Sequence, residues 1–221
     1  NPRMSRQKTQ YLTAAQAVEY IKSGDRVFMT GNCSVPQQVL TALVARAETL
    51  TQVELVQLLA LSQVGYVAPE LSGHLRVNAM FISANVREAV NDGRADFTPI
   101  LLSDVPRLFR MRDKFPINVA LVHLSPPDMH GFCSFGVEVG ITKTAAEMAD
   151  IIIAEVNAQM PRSLGDSVIH INDVDIVVEV DYPIPEMPMT EANQLQQAIA
   201  AHIVELIPDG ATLQTGIGAV P

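Results

Sequence analysis

Short, unbroken apolar runs recur along the chain, separated by stretches of helical period. Residues 53–59, 77–82, 99–102, 117–124, 151–156 and 174–180 are aliphatic or β-branched with little polar alternation, and residues 26–30 form a shorter run of the same kind. A strand that is apolar on both faces is buried on both, as in a parallel sheet covered by helices. Between the runs, residues 37–48 (after Pro36), 84–91 (after Ser83), 106–114 (after Asp104) and 142–149 read as helices. Thr13 to Gln16 forms a capping box, with Ala14, Ala17, Val18 and Ile21 following at helical spacing until Gly24 stops the helix. The alternation predicts an α/β fold with an open, mostly parallel sheet covered by helices.

The pattern changes at residues 182–188, where Tyr-Pro-Ile-Pro-Glu-Met-Pro places three prolines in seven positions. Proline removes a backbone donor and fixes φ, so the stretch reads as an extended connector. Beyond it, residues 191–207 predict a long helix with Leu195, Ile199, Ile203 and Leu206 on one face, and residues 211–214 predict a strand. Two segments then repeat. Val-Glu-Tyr-Ile-x-x-Gly at 18–24 returns as Val-Glu-Leu-Ile-x-x-Gly at 204–210, and Thr-Gly-x-x-x-Val-Pro at 30–36 returns at 215–221. Both copies run helix, glycine, strand, Thr-Gly turn, Val-Pro, which reads as an internal duplication. The alternative is two ordinary helix–strand units with similar caps. The organisation expected is one domain over 1–181, a linker over 182–190 and the start of a second, similar domain over 191–221.

Composition narrows the function classes. The net charge is −9, which argues against a nucleic-acid or membrane-surface binder, since either needs a basic face. A locally basic pocket for a phosphorylated ligand stays open. Aromatics are 5% against 48% hydrophobic residues, so the core is aliphatic. Cys33 and Cys133 make no C-x-x-C pair, which suits a reducing cytoplasm better than a disulfide scaffold. Arg3, Arg6 and Lys8 precede any long apolar run, unlike a secretory signal, and the apolar runs are too short to span a bilayer.

Ligands of parallel α/β sheets bind at the carboxyl ends of strands. Gly31, Gly216 and Gly218 lie in such turns, where backbone can approach a ligand and amides can hold a phosphate or an oxyanion. The competing reading is a tight turn that simply needs glycine, and no third glycine completes a dinucleotide fingerprint. The loop at 124–136 follows another apolar strand, and its prolines and glycines fix its shape. His123, His130 and Cys133 match no common zinc spacing. His130 reads as a hydrogen-bonding or ligand-contacting residue, or as solvent-exposed. Glu155, at the end of a buried run, is a candidate for chemistry because burial perturbs a carboxyl pKa, but the favoured reading is that it pairs with Arg162 and shapes the loop. Asp166, His170, Asp173 and Asp175 cluster by sequence, but the alternation over 170–179 puts several of them on a solvated strand face.

SPPDMHGFCSFGVEV at 125–139, ADIIIAEVNAQMPRSLGDSVIHINDVDIVVE at 149–179 and YPIPE at 182–186 resemble the N-terminal half of the acetyl-CoA hydrolase/transferase family. GDRVFMTGNCSVPQQVLTAL near the start and GATLQTGIGAVP at the end are similar to it as well. Within that family the chain looks most like the 4-hydroxybutyrate and acetate (butyrate) CoA-transferases. The resemblance implies two CoA-transferase/NagB-like α/β domains with the site between them, and CoA as substrate with no metal or organic cofactor. It implies that a glutamate of the second domain attacks the thioester, passing through an acyl-glutamyl anhydride and a glutamyl-CoA thioester. No residue of this chain matches that glutamate, so no catalytic residue is assigned here. What the resemblance assigns to this chain is the substrate and CoA side of the cleft: Gly31, Asn32, Ser34, Pro36, Pro127, His130 and Gly131, with Gly216 and Gly218 in the second glycine turn. Asn157, Met160, Pro161 and Arg162 match a characteristic segment without an assigned role. The implied partners are an acyl-CoA, a short-chain carboxylate, a missing C-terminal domain and further copies in a cytoplasmic homo-oligomer. An acyl-CoA hydrolase, a non-catalytic acyl-CoA-binding or subunit module and, by fold analogy alone, a sugar-phosphate isomerase are the competing readings.

Overall fold

The side chain of Thr13 accepts from the Gln16 amide while Gln16 Oε1 accepts from the Thr13 amide at 3.0 Å. The capping box starts α1 (Ala14–Ala17), which tightens into a 3₁₀ turn over Val18–Tyr20. Gly24 follows at φ 82°, a left-handed position that glycine adopts without strain. This is a computed structural model describing residues 8–62, 64–186 and 191–216. The chain divides into two units, Asn1–Pro185 and Glu186–Pro221, and the division falls in the proline-rich stretch.

In the first unit the strands are β1 (Gln10–Tyr11), β2 (Arg26–Met29), β3 (Val53–Gln57), β4 (Leu75–Ala79), β5 (Asp96–Phe97), β6 (Val119–Leu124), β7 (Phe132–Ser134), β8 (Ile151–Asn157), β9 (Val168–His170) and β10 (Ile176–Val180). The helices are α2 (Gln37–Arg46), α3 (Ala84–Asn91), α4 (Val105–Arg110) and α5 (Thr142–Met148). Eight strands form one parallel sheet in the order β1-β10-β8-β6-β2-β3-β4-β5, while β7 and β9 make a small antiparallel pair.

Alternate residues of each strand point to opposite faces, and both faces are dry. Val27 and Met29 of β2 and Val119 and Leu121 of β6 pack with α1, α2 and α3 on one side. Phe28, Ala120, Val122 and Leu124 pack with α4 and α5 on the other. Truncating one such fully buried side chain, Leu121→Ala for example, costs about 2–5 kcal/mol. Among the described residues no helix is long and apolar enough to cross a membrane.

Three expected elements differ. Residues 99–102 form no strand; the edge strand is β5, just before, and the run leads into a 3₁₀ turn with Leu101 and Leu102 exposed. Pro99 has no N–H to offer a ladder, so pairing stops at Thr98, whose amide donates to Ala79. The helix expected over 106–114 ends at Arg110. In the second unit, Asn193 caps α6 (Gln194–Val204) through a capping box, and residues 211–214 are without regular structure. A strand gains its hydrogen bonds only from a neighbour, whereas a helix supplies its own.

Going from β2 through β3 and β4 to β5, the chain steps steadily in one direction. It then returns to the opposite side of β2 as β6 and continues outward through β8 and β10. The connection after β2 enters α2 on one face, while that after β6 leads to α5 on the other. The two loops diverge at the carboxyl ends of adjacent strands, which is the topological switch point of an open α/β sheet.

Candidate functional site

The turn after β2 is held by its neighbours on both sides. Thr30 donates from its amide (3.0 Å) and its hydroxyl (3.2 Å) to Leu121 O, continuing the pairing with β6. A Cβ on Gly31 would stand 2.1 Å from Leu59 O, so only glycine fits. Asn32 sits at φ 50°; its amide donates to Leu59 O at 2.5 Å and its carbonyl accepts from Leu61 N at 3.1 Å. The Ser34 amide donates to Gly31 O at 3.0 Å. The close approach that Gly31 permits is therefore to the segment after β3, and the amides of Asn32 and Ser34 are used within the protein. Pro36 occupies the N-cap of α2 and supplies no capping side chain.

That cap comes from Glu155, near the end of β8. Its carboxylate is fully buried and accepts from Val39 N at 2.6 Å and from the Tyr182 hydroxyl at 2.5 Å. The N-terminus of a helix carries partial positive charge and unpaired amides, so a carboxylate satisfies both. Burial pushes the Glu155 carboxyl above its ordinary value, and the Tyr182, Val39 and Gln38 hydrogen bonds pull back. Tyr182 is pushed up by burial and by the adjacent Glu155 charge. Asn157 clamps the same residue, donating to Tyr182 O at 2.9 Å. The expected pairing of Glu155 with Arg162 is not formed; Glu155 faces α2, on the other side of the strand's end.

Beside it, His123 of β6 lies opposite Glu155 in the ladder and 5.5 Å from the Tyr182 ring, centroid to centroid. The ring is fully buried, and neither nitrogen has a hydrogen-bond partner among the described residues. Burial lowers its pKa to about 4; the Ser34 backbone facing the ring favours the charged form slightly, without a hydrogen bond of ordinary geometry. The histidine is thus a neutral base held in the floor of the switch point. Ser34 Oγ is likewise buried and unpartnered among the described residues.

The loop after β6 is built around Arg162 and Asp128. Arg162 Nη1 donates to Ser125 Oγ, Pro126 O and Phe132 O at 3.0–3.1 Å, and Nη2 reaches Asp128 at 3.4 Å. Asp128 accepts from the amides of His130 and Phe132 at 2.9 Å, which holds its carboxyl below the usual range. Gly131 (φ 84°) lies against the His170 ring, and Gly136 (φ 65°) against Met160 and Pro161. Both sites combine a left-handed backbone with no room for a Cβ. Pro127 and His130 are exposed on the outer part of the loop. Cys133 is buried in the core, which pushes its thiol up to about 11.

The segment between β7 and α5, directly after this loop, reaches the first turn: Asn32 Nδ2 donates to a carboxylate oxygen of Glu138. The structure thus brings Gly31, Asn32, Ser34 and Pro36 to the carboxyl end of β2, beside the loop carrying Pro127, His130 and Gly131. Gly216 belongs to the second unit and is exposed, and Gly218 lies outside the described residues. Sequence reasoning read Tyr182 only as the start of the connector and gave Glu138 no site role. A tyrosine opening the connector and a glutamate among valines carried the only local signal.

A model of the acetyl-CoA hydrolase/transferase N-terminal domain matches residues 2–188. The 4-hydroxybutyrate coenzyme A transferase of Clostridium kluyveri is 42% identical over 97% of this chain and 50% of that protein. The succinyl-CoA:acetate/propanoyl-CoA:succinate CoA transferase of Fasciola hepatica is 37% identical over 91% of this chain and 42% of its own length. Among solved structures, RipA from Yersinia pestis superposes with a TM-score of 0.88 at 31% identity, covering 96% of this chain and 52% of that one. The chain spans about half the length of the curated relatives it matches.

Proposed function

Because the chain belongs to the acetyl-CoA hydrolase/transferase family, through that family's N-terminal domain, we propose that it forms one side of the cleft of a CoA-transferase. The reaction moves CoA between an acyl-CoA and a short-chain carboxylic acid of the 4-hydroxybutyrate, acetate or butyrate type. The observation that carries this is the switch point itself, where the family-like turn at 30–36 is tied through Asn32 to Glu138, just after the second family-like loop at 125–136.

The nucleophile in this reading is a glutamate from a second half, attacking the thioester carbonyl and releasing CoA thiolate. The thiolate returns to the glutamyl carbonyl of the resulting anhydride, releasing the first acid. The incoming carboxylate displaces CoA in the same two steps reversed. The anhydride conserves the thioester's energy, which free hydrolysis would discard. This chain's part is to seat the acid, fix the cleft wall and keep water off the glutamyl thioester. The buried, fully tied Glu155 and the neutral His123 serve the wall: they set where α2 and its preceding turn stand. CoA is a substrate in this scheme, with no metal or organic cofactor. A homo-oligomer in a reducing cytoplasm accords with it, and Cys33 and Cys133 are not joined in a disulfide.

The test is acyl-CoA turnover by the enzyme assembled with its second half, with and without an acceptor acid. Consumption that requires acetate or butyrate and yields the new acyl-CoA is the expected result. Free CoA released at the same rate without an acceptor would make it a hydrolase.

A further inference from the structure

Glu138 is half-buried, and each of its carboxylate oxygens has a defined environment. One accepts from Asn32 Nδ2. The other lies over Gly140, where an added Cβ would stand 2.6 Å from it. Asn32 is itself fixed, at φ 50°, by backbone bonds to Leu59 and Leu61. Among the described residues no lysine, arginine or histidine is ion-paired with Glu138. Burial pushes its carboxyl up, and the Asn32 hydrogen bond opposes that by favouring the charged form.

A carboxylate without a cation, reachable from solvent, bonded to the turn at 30–36 and directly following the loop at 125–136, has a definite chemical preference. It accepts hydrogen bonds from neutral donors and repels anions. We propose that Glu138, positioned by Asn32, determines specificity: it accepts a hydrogen bond from a hydroxyl on the acyl chain and rejects a second carboxylate. The site then takes monocarboxylic acids with neutral, donor-bearing tails in preference to dicarboxylic acids of the same length. This rests on the CoA-transferase reading. It also goes beyond family membership, since the similar proteins named above include both a hydroxy-acid and a dicarboxylic-acid transferase.

A site built around a buried polar partner discriminates strongly because the wrong substrate leaves that partner unpaired or opposed by like charge. Glu138→Gln keeps the size and an acceptor oxygen for Asn32 but removes the charge. The experiment measures kcat/KM of the assembled enzyme for 4-hydroxybutyrate and for succinate, with melting temperatures alongside. The wild type is expected to favour 4-hydroxybutyrate, and Glu138→Gln to shrink that ratio by at least about tenfold, chiefly through a lower KM for succinate. An unchanged ratio in a variant that melts with the wild type overturns the proposal, as does a wild type that prefers succinate. If Glu138→Gln does not fold, Asn32→Gly removes the tether at a backbone position glycine tolerates. The ratio is expected to relax there too, and an unchanged ratio again overturns the role. A wild type that transfers CoA to no acid at all brings down the CoA-transferase reading, and this proposal with it.

Discussion

The carboxylate of Glu155 accepts the backbone amide of Val39 at 2.6 Å, so a residue near the end of β8 caps a helix through an amide 116 positions earlier in the chain. The helix it caps follows directly on the turn at 30–36. Glu155→Ala leaves the Val39 amide and the Tyr182 hydroxyl without an acceptor in a dry site. Each orphaned group costs about 1–3 kcal/mol, so a total loss of about 2–6 kcal/mol is expected in urea unfolding. Glu155→Gln, which keeps one acceptor oxygen, is expected to lose roughly half as much. An alanine variant as stable as the wild type would show that α2 does not depend on this cap.

His123 makes stability depend on pH with a definite sign. Its folded pKa of about 4 lies below the ordinary 6.5, so between those values the unfolded chain binds the proton and the folded one does not. The contribution is complete above pH 6.5 and is lost as pH falls toward 4, the loss reaching about 2 kcal/mol by pH 5. Glu138 and Glu155, both pushed up, act oppositely: their contributions hold below the ordinary carboxylate value of 4.5 and are lost as pH rises through their folded pKa values. The histidine is therefore read by difference. Between pH 7.5 and 5, the wild type should lose about 2 kcal/mol more than His123→Gln. Parallel pH profiles for the two proteins would place the titration elsewhere.

Gly31→Ala tests the contact beneath the first loop. The new Cβ would meet a backbone oxygen at 2.1 Å, with no flexible side chain to yield. A loss of about 1–3 kcal/mol is expected from the forced backbone shift. Gly65→Ala is the control, since nothing lies within 4 Å of the place its Cβ would take. The comparison is a pair of thermal melts, and equal melting temperatures would mean that Leu59 moves aside freely.

Arg162→Lys probes the second loop. One guanidinium nitrogen serves Ser125, Pro126 and Phe132 while the other reaches Asp128, and a single ammonium cannot hold that fork. The amides of His130 and Phe132 are then expected to exchange with solvent about tenfold faster or more, since a local loss of about 1.4 kcal/mol is a factor of ten. Exchange unchanged from the wild type would show that Asp128 alone holds the loop.

The sequence by itself determined the layers of this protein. Runs such as Ile151 to Ala154, apolar on both faces, have no stable place except inside a parallel sheet covered twice. The capping box at Thr13 and Gln16, the glycine stop at Gly24 and the bounds of α3 after Ser83 are local, because each depends on residues within a few positions. Tertiary structure alone decided the strand order, with its reversal between β2 and β6, and so which loops face one another. It decided that Gly31 clears Leu59, that Glu155 turns to α2 instead of Arg162, and that Asn32 meets Glu138. It also left residues 99–102 out of the sheet. Periodicity records which side of an element is dry. Pairing between distant residues depends on the packing of the whole domain, where burial of a carboxylate or a glycine's missing side chain acquires a partner that no local pattern specifies.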